Sequence, residues 1–187
     1  MSIRPATDAD IPRICALYEE AIDFQRRGGF PSWQSLGAES IRKDLTSGEL
    51  HVLVLDGLVV GAFCFSRPSR LDLDLWQDPE PVPARYLNRI VVGREWKGHR
   101  LFESILIWSE SRARQAGIRF LRLVTWQENL PLMHYYEDFG FVFMGARTTA
   151  HSEAYAPPYR GLRLSILQKP VNPSHTPNPM DEALANQ

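Results

Sequence analysis

The stretch from Tyr86 to Phe141 narrows the folds open to this chain more than any other feature. Tyr86-Leu87-Asn88-Arg89-Ile90-Val91-Val92 reads as a buried strand, and Gly93 to Arg100 as a short basic loop holding Arg94, Lys97, His99 and Arg100. Leu101, Ile105, Trp108 and Arg112 then share one helical face, flanked by Phe102, Leu106 and Ala113, until Ala116-Gly117 closes the helix. Phe120 to Thr125 is a second apolar strand. A strand, a crossover helix and another strand in succession predict a parallel pair with a right-handed connection. A basic turn opening a helix suits a phosphorylated ligand, since the first-turn amides are unpaired and the helix dipole favours negative charge there. The competing reading of Lys97, His99 and Arg100 is a solvated basic turn.

With 187 residues the chain can bury one substantial core and is short for two. A net charge of -1 gives no reason to expect nucleic acid or an acidic membrane as partner, so the basicity of the loop needs a local explanation. Cys15 and Cys64 are the only cysteines and read as buried free thiols, with no disulfide framework or metal site. No run approaches a membrane span and no leader is visible, which predicts a cytoplasmic protein; monomer and homodimer both stay open.

Around this unit, Ser2 to Ala6 reads as a first strand, with Thr7 as helix cap and Asp10 in the capping-box position. Ile11, Ile14, Cys15, Tyr18 and Ile22 recur at helical spacing. Phe30 to Gln34 is a loop, and Ala38 to Thr46 a short helix. Leu50–Leu55, Asp56-Gly57 and Leu58–Ser66 form a hairpin around the Asp-Gly pair that a two-residue turn prefers. Arg67 to Pro83, with four prolines and four acids, reads as a long irregular connection anchored by Trp76. A short helix ends at Phe139-Gly140, and Val142–Thr149 and Leu162–Leu167 are the last strands, linked by His151 to Arg160. The residues after Pro170 are polar and proline-rich, which predicts one domain over 1–170 and a disordered tail over 171–187.

This order of elements resembles the GNAT superfamily of acyl-CoA-dependent N-acetyltransferases from Ile3 to Pro170. Three motifs carry the resemblance. Lys97-Gly98-His99-Arg100-Leu101-Phe102, after Ile90-Val91-Val92, lies where the family has its pyrophosphate loop, R/Q-x-x-G-x-G/A. Ile105 to Gly117 and the strand after it match the long helix and its following strand. Asn129 with Tyr135-Tyr136-Glu137-Asp138-Phe139-Gly140-Phe141 looks like the N…YExxGF ending, the most specific of the three. The chain departs from the loop pattern at Arg100, where the first glycine belongs, and at Phe102, where a second glycine or alanine belongs. Either Arg100 offers its guanidinium to a pyrophosphate in place of a backbone contact, or both side chains obstruct it.

The resemblance implies an α/β three-layer fold: a mixed, mostly antiparallel sheet of six to seven strands, helices on both faces, and a splay between the strands ending at Val92 and Thr125. It implies acetyl transfer from acetyl-CoA, as co-substrate, to a primary amine of a small molecule or peptide. Ile90, Val91 and Val92 would meet the pantetheine and thioester through their main chain. Lys97, Gly98, His99, Arg100, Leu101 and Phe102 would hold the pyrophosphate, Asn129 would bond the pantetheine arm, and Tyr136 would protonate the departing thiolate. Asn129 also reads as a helix entry and Tyr136 as a packed aromatic. Glu19, Glu20, Asp72 and Asp74 border the expected acceptor cleft as candidate bases, and Trp33 and Trp76 as candidate walls. The alternative from another class is a non-catalytic protein of this fold that binds CoA or another ligand in a regulatory role.

Overall fold

The computed structural model describes residues 1–33, 37–153, 155 and 159–172. Of the tail expected over 171–187, Val171 instead belongs to the core, buried and donating its N–H to the Arg119 carbonyl at 2.8 Å, because its apolar side chain extends the end of the last strand. Residues from 173 onward, Gln34 and part of the 151–160 connection lie outside the described residues. Strand β1 (Ser2–Pro5) leads through a 3-10 turn at Asp8–Asp10 into α1 (Ile11–Arg27). Thr7 donates its N–H to the Asp10 carboxylate at 2.8 Å, and Arg4 clamps the same carboxylate with two bonds of 2.8 Å, so the corner is closed by charge as well as by capping. The short helix α2 (Ala38–Thr46) precedes a hairpin of β2 (Leu50–Leu55) and β3 (Leu58–Ser66). Asp56 and Gly57 both take left-handed backbone there (φ 50° and 80°), the combination that a two-residue turn between twisted strands requires.

The connection from Arg67 to Pro83 is not irregular throughout, as the sequence suggests, but contains α3 (Arg70–Trp76). Ser69 caps it by accepting the Asp72 N–H, and the Asp72 carboxylate accepts the Ser69 N–H at 2.8 Å in return. Leu75 and Trp76 are buried by the sheet, while prolines on either side mask this seven-residue helix in the sequence. The remaining elements are β4 (Ala84–Val92), α4 (Leu101–Gln115), β5 (Phe120–Trp126), α5 (Leu130–Asp138), β6 (Val142–Thr148) and β7 (Arg163–Pro170). They complete one seven-stranded sheet of order β1-β2-β3-β4-β5-β7-β6. Among the described residues only β4 and β5 run parallel, joined by α4, and every other pairing is antiparallel.

Three layers result. On one face α4 and α5 cover Leu53, Phe63, Leu87, Leu121, Leu123 and Leu167. On the other, α1 and α2 cover Val52, Ala62, Cys64 and Val91, while α3 covers Ala84, Tyr86, Leu164 and Ile166. Burial pushes the Cys64 thiol up to about 12, so it stays protonated and inert.

One buried guanidinium holds the α3 side to the sheet. Arg122, on β5, donates to both Asp78 oxygens at 2.6 and 3.0 Å, to Gln168 at 2.8 Å and to the Tyr86 hydroxyl at 3.1 Å, and lies 3.9 Å over the Trp76 ring. Its side chain is 4% exposed. Removing it strands a carboxylate and a phenol beside the core, so Arg122→Ala should cost about 3 kcal/mol in chemical denaturation.

Candidate active site

The parallel pair is joined for only three residues. Ala84 lies opposite Phe120, Arg85 opposite Leu121 and Tyr86 opposite Arg122; beyond these β4 pairs only with β3, and β5 only with β7. The two strands therefore separate toward Val92 and Trp126, forming the expected splay. A bulge in β4 accompanies the separation: its register against β3 slips between Ala62 and Cys64, and Arg89 adopts φ 53°. The sheet alone does not hold that strained residue. Tyr18 of α1 donates its hydroxyl to the Arg89 carbonyl at 2.6 Å, and the Arg89 guanidinium bonds Ser40 at 3.0 Å and pairs with Asp44, both on α2.

The bulge decides which main-chain groups face the opening. The Gly93 N–H donates to the Val60 carbonyl at 2.8 Å, so strand alternation turns Val91 toward β3 and turns Ile90 and Val92 the other way, into the splay. Of the three strand residues that the sequence nominates, Ile90 and Val92 can thus present main-chain groups to a ligand, whereas Val91 pairs with Ala62 and buries its side chain under α1 and α2.

From Val92 the chain passes through a 3-10 turn at Arg94–Trp96 to α4. The Lys97 and His99 amides are taken up by Arg94 and Trp96 carbonyls, both at 3.1 Å. Among the described residues the amides of Gly98, Arg100, Leu101, Phe102 and Glu103 have no main-chain acceptor, and the first helical bond is Ser104 N–H to the Arg100 carbonyl. Gly98 (φ 95°) has no heavy atom within 4 Å of where a Cβ would stand, so the loop is open on that side. Lys97, His99 and Arg100 are exposed around it.

The two departures from the loop motif resolve differently. Phe102 is 3% exposed, and its ring packs inward against Tyr135, Tyr136 and Phe139 at 5.0–5.6 Å. It occupies the core rather than the space before the amides. Arg100 sits at φ 51°, the left-handed backbone that glycine adopts freely, and its guanidinium pairs with Glu103 in the first turn of α4. The motif's glycine thus corresponds here to a real backbone requirement that an arginine meets under strain.

Tyr136, on α5, packs against the Phe102 ring. It is 8% exposed, lies 5.2 Å from Phe102 and 6.1 Å from Phe141, and is surrounded by rings. Among the described residues its hydroxyl has no hydrogen-bond partner, yet it is not sealed from solvent. Burial pushes the phenol well above its ordinary value, keeping it protonated. Tyr135, one position before it, is 42% exposed. Asn129 caps α5: its side-chain oxygen accepts the Leu132 N–H at 3.2 Å, the helix-entry role read in the sequence.

Across the splay from α4, an aromatic row runs from Tyr18 to Trp33 and Trp126, with centroids 5.6 and 5.4 Å apart, linking α1 to the end of β5. Trp33 is therefore a wall of the opening, whereas Trp76 is buried beneath Arg122 and is not. The acids that the sequence offers as bases have other engagements. Asp72 caps α3 and is held protonated more readily by burial, Asp74 pairs with Arg70 and Tyr155, Glu20 with Arg13, and Glu19 is exposed. Arg89 and Tyr18 are the positions that sequence reasoning passed over; the available signal was a charged residue inside an apolar strand.

Residues 15–141 match the family model described as the acetyltransferase (GNAT) family. The chain is 27% identical over 157 residues to the uncharacterized N-acetyltransferase YesJ of Bacillus subtilis, covering 79% of this chain and 84% of the relative. A GNAT-family acetyltransferase from Listeria monocytogenes superposes with a TM-score of 0.70 at 24% identity, covering 90% of this chain and 94% of its own. Another from Streptococcus agalactiae gives 0.72 at 19%, covering 91% and 95%. The structure of yncA from Salmonella typhimurium with its cofactor acetyl-CoA gives 0.64 at 16%, covering 96% and 98%. A three-layer sheet opened between its one parallel pair, a helix N-terminus beside the opening and a family match spanning both place the chain in the GNAT acetyltransferase family.

Proposed function

We propose that this protein moves an acetyl group from acetyl-CoA to a primary amine of a small molecule or peptide. The observation that carries this reading is a splay bordered by the unpaired amides of Gly98 and of Arg100 to Glu103 and by the main chain of Ile90 and Val92, with the Tyr136 ring packed on Phe102 at the start of α4. The yncA structure with acetyl-CoA supports the choice of donor. Acetyl-CoA supplies an activated acyl group on a thiol leaving group. The residues fit such a substrate: Gly98, Arg100, Leu101, Phe102 and Glu103 present amides to a pyrophosphate, and Lys97 and His99 add positive charge around it. Asn129 stands at the entry of α5 beside the path of the pantetheine arm. The Val92 N–H is turned to meet negative charge developing on the thioester oxygen, and Tyr136 donates its proton to the departing sulfur. Trp33 and Trp126 wall the side from which the amine approaches, with Tyr18 packed behind Trp33. The amine must arrive neutral to attack; as the amide forms it gives up one N–H proton to water, and Tyr136 is reprotonated from solvent after the thiol leaves.

Acetyl-CoA should raise the melting temperature in a concentration-dependent manner, because only the folded chain presents these amides. A flat thermal-shift series into the millimolar range would instead favour a fold that has lost its donor.

Arg100 is already held by Glu103, an exposed ion pair of small worth. Arg100→Ala should therefore leave acetyl-CoA affinity within about fivefold by calorimetry. Arg100→Gly should stabilise the fold by about 1 kcal/mol in chemical denaturation by relieving the left-handed backbone.

Tyr136→Phe should lower kcat by at least about tenfold, near the foot of the range for general acid catalysis since a thiolate leaves partly unaided. The KM for acetyl-CoA should stay nearly constant because the ring still packs, and Tyr135→Phe serves as the control. Because burial raises the pKa of this phenol, its acid form persists above the ordinary tyrosine range. The kcat of the parent should therefore show no tyrosine-dependent fall from pH about 8 to about 10. Release of CoA, followed with a panel of small amines and peptide N-termini, provides the assay.

A further inference from the structure

The inner stripe of α4 continues from Leu101, Ile105 and Trp108 to Arg112, where an amphipathic helix would carry another apolar residue. On β4, Arg85 stands two positions before the core residue Leu87 and so points to the same face of the sheet. Both line an open cleft of about 420 Å³ between the C-terminal half of α4 and strands β1 to β4. His51, Phe65 and Arg85 form its floor from three neighbouring strands, and Trp108, Arg112 and Gln115 form its wall from successive turns of the helix. The volume lies within the range of small-molecule sites.

Its charge is unbalanced. Among the described residues Arg85 has neither ion pair nor hydrogen bond, and the only partner of Arg112 is the Trp108 ring, 5.5 Å away. No carboxylate is among the described lining residues. The nearby Glu110 is engaged elsewhere, with Arg114 and Lys169. His51 adds no charge: its Nδ1 lies 2.9 Å from the Glu49 carbonyl, which can only accept, and burial lowers its pKa. The rest of the surface is aromatic, with Trp108 lying 4.6 Å from His51 and 5.6 Å from Phe65. Two guanidiniums without a counter-anion beside flat rings suit an anion that carries its own ring: bidentate bonds to the carboxylate and stacking of the plane. Arg112 is eleven residues along α4 from Leu101, about 16 Å at the helical rise, so this place is distinct from the amide-lined splay.

We propose that this open cleft is a second binding site, for a small aromatic carboxylate, held by Arg85 and Arg112 against Trp108. The proposal does not depend on the acetyl-transfer reading. Calorimetric titration of the full chain with 2-naphthoate, with its uncharged counterpart 2-naphthamide, and with inorganic phosphate tests it. Saturable binding of 2-naphthoate is expected, with 2-naphthamide and phosphate each at least about tenfold weaker, since neither offers both ring and carboxylate. Arg112→Gln, at an exposed position, and Arg85→Gln should each weaken 2-naphthoate at least about tenfold while melting temperature and its response to acetyl-CoA stay as in the parent. No saturable binding, equal affinity for the amide or for phosphate, or parental affinity in both variants would overturn the proposal.

Discussion

The opening between β4 and β5 depends on one strained residue and the two helices that hold it. A parallel pair left to itself would continue to zip, because each further residue closes main-chain bonds. Here Arg89 takes left-handed backbone, slips the register against β3 and turns the strand end away from β5. Such a conformation costs about 1–2 kcal/mol in a residue with a Cβ. It persists because the Tyr18 hydroxyl fixes its carbonyl and Asp44 and Ser40 fix its guanidinium. Helices α1 and α2 therefore do more than cover the sheet: they keep the cleft open, and buried Tyr18 backs Trp33 along its wall.

The facing side of the cleft is built from the backbone of α4, and this accounts for how far the loop motif can drift. Amides bind an anion whatever side chains accompany them, provided the space before them is clear. Phe102 leaves it clear by turning into the core, where its ring also packs against Tyr136. Arg100 keeps the geometry that a glycine would adopt and folds its charge back onto Glu103. Both departures from the family pattern are absorbed locally, one by packing and one by strain.

A similar economy appears at the far end of the same helix. Ordinary amphipathic patterning would have closed the space beside His51 with an apolar residue; Arg112 and Arg85 leave it lined by positive charge. On the opposite face another inward arginine, Arg122, has the partners that Arg85 lacks among the described residues. The contrast between a saturated guanidinium and two unsaturated ones separates a fastening from a site.

Much of this was legible in the residues. The Asp-Gly hairpin, the helical spacing of α1 and α4, the strand-helix-strand order that demands a parallel pair, and the bounds of α2 follow from local propensity and period. Tyr136 was singled out only through the resemblance of its motif, and its packing against Phe102 emerged only from the structure. Three things required the tertiary structure. Helix α3 is too short, and too hemmed by prolines, to declare itself without Tyr86 and Arg122 to pack against. The left-handed turn at Arg89 is set by Tyr18 and Asp44, 71 and 45 residues away, and no local pattern encodes it. That turn in turn decides that Ile90 and Val92, and not Val91, face the cleft, since a strand reverses its exposed edge at every residue and a single inserted position changes the parity. Sequence determined which elements form; long-range contacts decided where the sheet opens and which of its atoms line the opening.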